Sequence, residues 1–187
     1  MSTRYEWICY GCGIAAPCAA SFACAACGEP LSLRVLASPS ESLFDRRPGS
    51  MWAYGDLLPI EDLSRVVSLG EGGTPLVETP RLALESGLRQ AWMKNEAANP
   101  TGSFKDRQVS VGLSHARELG ANTVAAVSSG NVACAAAAYA SRAGLRAILF
   151  MHGHAAPGKI AQVQSYGGRA VRVDTPSARE AFDLCVA

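Results

Sequence analysis

The chain has no excess of charge of either sign. Seventeen lysines and arginines stand against sixteen acidic residues, a net of +1. Nothing in that balance points to nucleic acid or to an anionic membrane as a partner. Long apolar runs are absent too. Runs such as "AILFM" at 147–151 fall far short of the roughly 20 residues that span a bilayer. The opening residues, "MSTRYEWICYGCG", lack the apolar core of a secretory signal, so a cytoplasmic location is expected. Apolar residues make up 49% and charged residues 18%. That is a globular composition, not a disordered one. A length of 187 residues fits one domain, or a small module joined to part of a larger domain.

Cysteine, by contrast, is plentiful. The seven are Cys9, Cys12, Cys18, Cys24, Cys27, Cys134 and Cys185, and five of them fall in the first 27 residues. An odd number without a secretion signal argues against a disulfide framework. Cys9-Tyr-Gly-Cys12 and Cys24-Ala-Ala-Cys27 are two CxxC units with eleven residues between them, followed by Gly13 and Gly28. Each CxxC turn aims two sulfurs at one ion, and the glycine lets the chain bend beneath them. Two such turns complete a tetrahedral four-thiolate site. Structural zinc is the expected occupant. Iron in a rubredoxin-like site, or a site that has lost its metal, are the alternatives. A closed four-thiolate site has no open position, so its role is in folding. Cys18 reads as a spare thiol. Residues 1–33 form this zinc-ribbon-like module, which is too small to fold without its metal.

Residues 34–68 read as a linker with little regular structure, because Pro, Ser and Gly interrupt any periodicity. "LLPIEDLSRVVSL" within it suits a short helical piece. Residues 69–187 form the main domain. There "QAWMKNEA", "NTVAAV", "LRAILFM" and "RAVRVD" read as strands. "SFKDRQVSVGLSHARELG", "NVACAAAAYASRAG", "PGKIAQVQSYGG" and "SAREAFDLCVA" read as helices. Short apolar strands alternating with helices predict an α/β fold, a parallel sheet covered on both faces. Ligands bind beyond the carboxyl ends of such strands. Three loops are expected there: residues 99–107, 128–131 and 152–157.

Two of these loops carry unusual chemistry. "NPTGSFKDR" at 99–107 places Lys105 after a run of small turn-forming residues and Phe104, where a helix begins. "SSGN" at 128–131 joins a strand to a helix. Backbone N–H groups at a helix N-terminus bind anions such as a carboxylate, and two hydroxyls and a carboxamide add donors. The plainer reading is an N-cap by Ser or Asn, and for Lys105 a solvated helix residue. A partly desolvated lysine beside a helix N-terminus suits a nucleophilic amine.

These motifs resemble a known family. "NPTGSFKDR" and "SSGN…AAAAYASRAGL" resemble the fold-type II pyridoxal-phosphate enzymes, which include threonine synthases, threonine dehydratases and cysteine synthases. "GEGGTPL" at 70–76 and the N-terminal cysteine pattern resemble threonine synthases and close relatives such as cysteate synthases. The resemblance implies a sheet of the tryptophan synthase β type. It implies that Lys105 bonds pyridoxal phosphate as an imine and then moves protons. Phe104 would pack beside the cofactor, and Asn131 would hydrogen-bond its 3′-oxygen. Ser128, Ser129 and Gly130 would hold the substrate carboxylate. The implied reaction converts O-phosphohomoserine and water into threonine and phosphate. The alternatives are another lyase of the same fold, of cysteate synthase or dehydratase type, or a non-catalytic zinc-binding remnant.

Family members run longer. Beyond the point where this chain ends they carry a glycine-rich loop for the cofactor phosphate, and then a Ser or Thr at the pyridine nitrogen. The "YGGRAV" stretch at 166–171 corresponds to a helix-to-strand turn, not to that loop. The resemblance therefore implies an incomplete, truncated domain. Its expected partners are a small amino-acid substrate and either a second copy of the chain or a complementing C-terminal half. His152 and His154 form an HxH pair that could bind metal but more simply fills a loop. Lys159 is read as a solvated first-turn residue within reach of a substrate phosphate. Cys134 and Cys185 are read as small core residues.

Overall fold

A computed structural model describes residues 4–16, 23–36, 49–175 and 177–186. Cys18 and most of the stretch "SPSESLFDRRPGSM" lie outside them. The N-terminal module is a three-stranded antiparallel sheet of β1 (Tyr5–Cys9), β2 (Ala15–Ala16) and β3 (Leu31–Val35), in the order β2-β1-β3. It leans on the rest of the chain. Arg4 pairs with Asp56 at 3.3 Å, and the Tyr5 hydroxyl meets His115 Nδ1 at 3.5 Å.

Residues 49–68, expected as linker, are two 3₁₀ turns, Met51–Leu57 and Leu63–Arg65, packed on the main body. Ile60 and Val67 are buried. Hydrogen bonds to distant residues hold this segment where its own periodicity does not. Trp52 Nε1 donates to Glu71 Oε1 at 2.6 Å, and the Val67 amide donates to Ser114 Oγ at 2.8 Å.

The main domain contains the expected parallel sheet, β6 (Thr123–Val127), β7 (Arg146–His152) and β8 (Arg169–Val173), in the order β6-β7-β8. Four helices go with it: α2 (Lys105–Glu118), α3 (Asn131–Ala143), α4 (Pro157–Ser165) and α5 (Ala178–Val186). The alternation along β7 turns Ala147, Leu149 and Met151 into one core with the alanines of α3, Val109 and Leu113 of α2, and Val163 of α4. α5 packs against β6 and β7 outside that cluster. No helix among the described residues is long and apolar enough to cross a membrane.

One strand is not where the sequence places it. β5 (Trp92–Lys94), from "QAWMKNEA", does not join the parallel sheet. It pairs antiparallel with β4 (Leu76–Glu78), across the short helix α1 (Pro80–Glu85), in a separate ribbon. A strand inside a parallel sheet is buried on both faces, whereas Trp92 is 52% and Met93 50% exposed. The loop at 99–107 therefore follows this ribbon and not a strand of the sheet.

Candidate active site

The loop before Lys105 is fixed from its far side. Asp106 is fully buried, and its carboxylate accepts from the Thr101 amide at 3.0 Å and the Thr101 hydroxyl at 2.7 Å. A carboxylate in the first turn also suits the positive end of α2. Ser103 Oγ accepts the Lys105 amide at 3.2 Å. Arg107 grips Glu96 with two N–H groups, at 2.7 and 2.8 Å, and reaches Thr74 Oγ1 at 3.2 Å. Arg107, with help from Thr74 and Asn99, holds the Glu96 carboxyl down at about 2. These bonds tie the "GGTP" stretch, the β5 ribbon and the start of α2 together.

Lys105 is half-buried, and its Nζ stands 4.5 Å from the centroid of the Phe104 ring. The chain has three lysines, Lys94, Lys105 and Lys159. Lys94 donates to the Thr74 carbonyl, and Lys159 donates to Asn131 Oδ1 at 2.7 Å and Gln162 Oε1 at 3.2 Å. Among the described residues, Lys105 Nζ alone has no carboxylate or hydrogen-bond acceptor. Such an amine remains available for chemistry.

Residues 128–131 lie at the carboxyl end of β6. The Ser128 amide donates to the Phe150 carbonyl at 3.0 Å and so extends the pairing with β7. Ser128 Oγ accepts from the Gly130 amide at 3.3 Å, and Ser129 Oγ accepts from the His152 amide at 2.7 Å. Each hydroxyl thus accepts one hydrogen bond and keeps its own proton to donate. The plain N-cap alternative does not describe the site. The capping residue is Gly130, and no side chain caps α3. Asn131 opens that helix at the surface.

α4 joins the two loops. Lys159 and Gln162 lie on it; Lys159 meets Asn131, and Gln162 Nε2 donates to the Thr101 carbonyl at 3.5 Å. His154 donates its amide to His152 Nδ1 at 3.2 Å. Among the described residues this pair belongs to no cluster of three or more metal-ligating residues. Cys134 is fully buried, and burial pushes its thiol pKa up.

Glu71 was not singled out from the sequence, yet it is the best-connected carboxylate here. Fully buried, it accepts from Trp52 Nε1 at 2.6 Å, Ser110 Oγ at 2.5 Å, Tyr139 OH at 2.8 Å and the Leu69 amide at 2.9 Å. Burial alone would raise its pKa. The Ser110 hydroxyl, the Leu69 amide and the Tyr139 phenol overcome that, and the net direction is down. Burial, and then the Glu71 charge, push Tyr139 up. Glu71 therefore clamps α2 and α3, which carry Lys105 and Asn131 at their N-termini. The one available signal was an acidic residue set among glycines in "GEGG".

The sulfurs of Cys9, Cys12, Cys24 and Cys27 lie within 4.8 Å of one another, the only group of potential metal ligands of this kind among the described residues. Cys9 and Cys27 are 3.3 Å apart, and Cys12 and Cys24 3.8 Å. Four sulfurs each about 2.3 Å from a shared zinc ion would be about 3.8 Å apart, so the donor set fits that ion. Gly13 and Gly28 follow the two turns with φ of 70° and 77°, which glycine adopts without strain. The Cys12 amide holds the Cys9 thiol down at about 6.

A family model described as "Pyridoxal-phosphate dependent enzyme" matches residues 67–187. The threonine synthase of Methanocaldococcus jannaschii is 44% identical over 135 residues, 72% of this chain and 33% of that protein. The threonine synthase of a Synechocystis species is 43% identical over 128 residues, 67% of this chain and 34% of that protein. The chain thus spans about a third of the length of these relatives. Among solved structures, a pyridoxal 5′-phosphate-dependent aspartate racemase superposes with a TM-score of 0.52 at 28% identity, covering 59% of this chain and 36% of that one.

Proposed function

Since the chain belongs to the pyridoxal-phosphate dependent enzymes, we propose that it forms the lysine-bearing part of a lyase of threonine synthase type. Its substrates are O-phosphohomoserine and water, its products threonine and phosphate. The four cysteines hold a structural zinc ion. One observation carries the enzymatic reading: Lys105, next to Phe104 at the start of α2, is the one lysine whose amine has no acceptor among the described residues.

Pyridoxal phosphate, when bound, supplies the electron sink for the reaction. The chain's own residues supply the rest. Lys105 would hold the cofactor through its amine and is the group placed to move a proton at the substrate's α-carbon. The Phe104 ring would pack at the cofactor's side, and the Asn131 amide would donate to its 3′-oxygen. Ser128 and Ser129, each with a proton left to give, bind the substrate carboxylate with the Gly130 backbone at the open N-terminus of α3. Asp106, Glu96 and Arg107 keep the Lys105 loop from shifting.

The test is chemical. The full chain is mixed with pyridoxal phosphate, reduced with borohydride and mapped by mass spectrometry. A label on Lys105, with Lys94 and Lys159 unmodified, supports the reading. A label spread evenly over the three lysines, or absent from Lys105, sinks it. Product analysis with O-phosphohomoserine, phosphoserine and threonine then separates the threonine synthase reaction from its cysteate synthase and dehydratase relatives.

A further inference from the structure

The ammonium of Lys159 can donate protons but accept none. It lies 2.7 Å from Asn131 Oδ1 and 3.2 Å from Gln162 Oε1. Each carboxamide must turn its oxygen toward that ammonium and its NH₂ away. A flipped amide would set donor against donor and lose the bond. For Gln162 the result is visible. Its Nε2 donates to the Thr101 carbonyl at 3.5 Å, in the loop that leads to Lys105, and to the Tyr166 hydroxyl at 3.4 Å. For Asn131 the NH₂ group has no acceptor among the described residues, so it is free to donate to a ligand.

We propose that Lys159 is a positioning residue that orients two carboxamides at once. It holds Asn131 so that the amide N–H groups, not the oxygen, are offered to the ring oxygen of the bound cofactor. It holds Gln162 so that its N–H group steadies the Lys105 loop. This rests on the reading of Asn131 given above. The 3′-oxygen of the cofactor accepts hydrogen bonds, and an amide oxygen facing it would repel. Lys159 thereby acts through Asn131 and touches neither cofactor nor substrate.

The test uses the full chain, its Lys159→Met and Lys159→Arg variants, and selective nitrogen-15 labelling of its four asparagines. The Asn131 side-chain signal is assigned by its loss in Asn131→Ala. That signal reports an ordered amide in the parent and in Lys159→Arg, and a freely rotating one in Lys159→Met. An unchanged amide in Lys159→Met overturns the proposal, whether or not cofactor is bound. Fluorescence titration with pyridoxal phosphate gives the second readout. Lys159→Met weakens binding about tenfold, the loss of one hydrogen bond to a charged oxygen, and Lys159→Arg restores it. On the Asn131→Ala background the same substitution adds nothing. A tenfold loss that persists there means the ammonium acts on the cofactor directly, and the proposal fails. Failure of borohydride to label Lys105 counts against the enzymatic reading alone. The Asn131 signal still decides the role of Lys159.

Discussion

The two ends of the chain are held by different forces. In the module of β1 to β3, Tyr5, Cys9 and Cys24 are the buried apolar residues among those described. Three such residues are far too few for a core. Around β7, by contrast, sixteen buried residues from Val67 to Val163 form one continuous cluster. The first region gathers sulfurs, and the second gathers methyl groups. On the zinc reading proposed above, an ion takes the place of a core in the small module.

The sharpest way to break this comparison is to remove the proposed metal. Chelation, or Cys24→Ser, is expected to abolish hydrogen-exchange protection of β1 to β3 while β6 to β8 keep theirs. Structural zinc in small modules carries an apparent binding energy of about 10–16 kcal/mol, more than any single packing contact. Protection that survives in a chain shown to be free of metal would refute the sulfur-held account. A smaller effect is expected at the other end. A Cβ added at Gly168 would stand 2.8 Å from Ala137 Cβ, 3.0 Å from Val163 Cγ1 and 3.2 Å from Leu149 Cδ2. Gly168→Ala should cost about 1–3 kcal/mol of overpacking, read as a lower thermal midpoint, with metal content unchanged. A neutral result would mean that the layers are slacker than those distances imply.

The smallest effect separates charge from packing. Arg107 holds the Glu96 carboxyl at about 2, against an ordinary value of 4.5. The folded value is the depressed one, so the stabilisation is complete above pH 4.5 and drains away as pH falls toward 2. Urea midpoints measured across that window should fall more steeply for the parent chain than for Glu96→Gln. Parallel slopes would show that the pair does not stabilise the folded state.

The sequence made the βαβ units legible because their signals are local. Apolar runs at 123–127 and 146–152, Pro157 at the first position of α4 and the glycines after α2, α3 and α4 are all read within a few residues. The cysteine spacing and the lysine loop were legible for the same reason. β5 was misplaced because three residues of strand pattern do not say which sheet they join. The docking of Trp52 and the burial of Glu71, Asp106 and Tyr139 stayed hidden. Trp52 reaches Ser110 across 58 positions, and Glu71 reaches Tyr139 across 68. No local pattern marks a polar group that will be desolvated by partners so far away.

The alanine stretch of α3 has a mechanical consequence. From Ala133 to Ala140, apart from Cys134 and Tyr139, the buried surface of this helix consists of methyl groups. An alanine has no side-chain rotamers, so ordering it costs no side-chain entropy and leaves it no alternative packing. A layer built this way cannot absorb a push by rearranging side chains. It moves as one piece, like a strut. The Gly144 end and Asn131 are the two ends of this one piece.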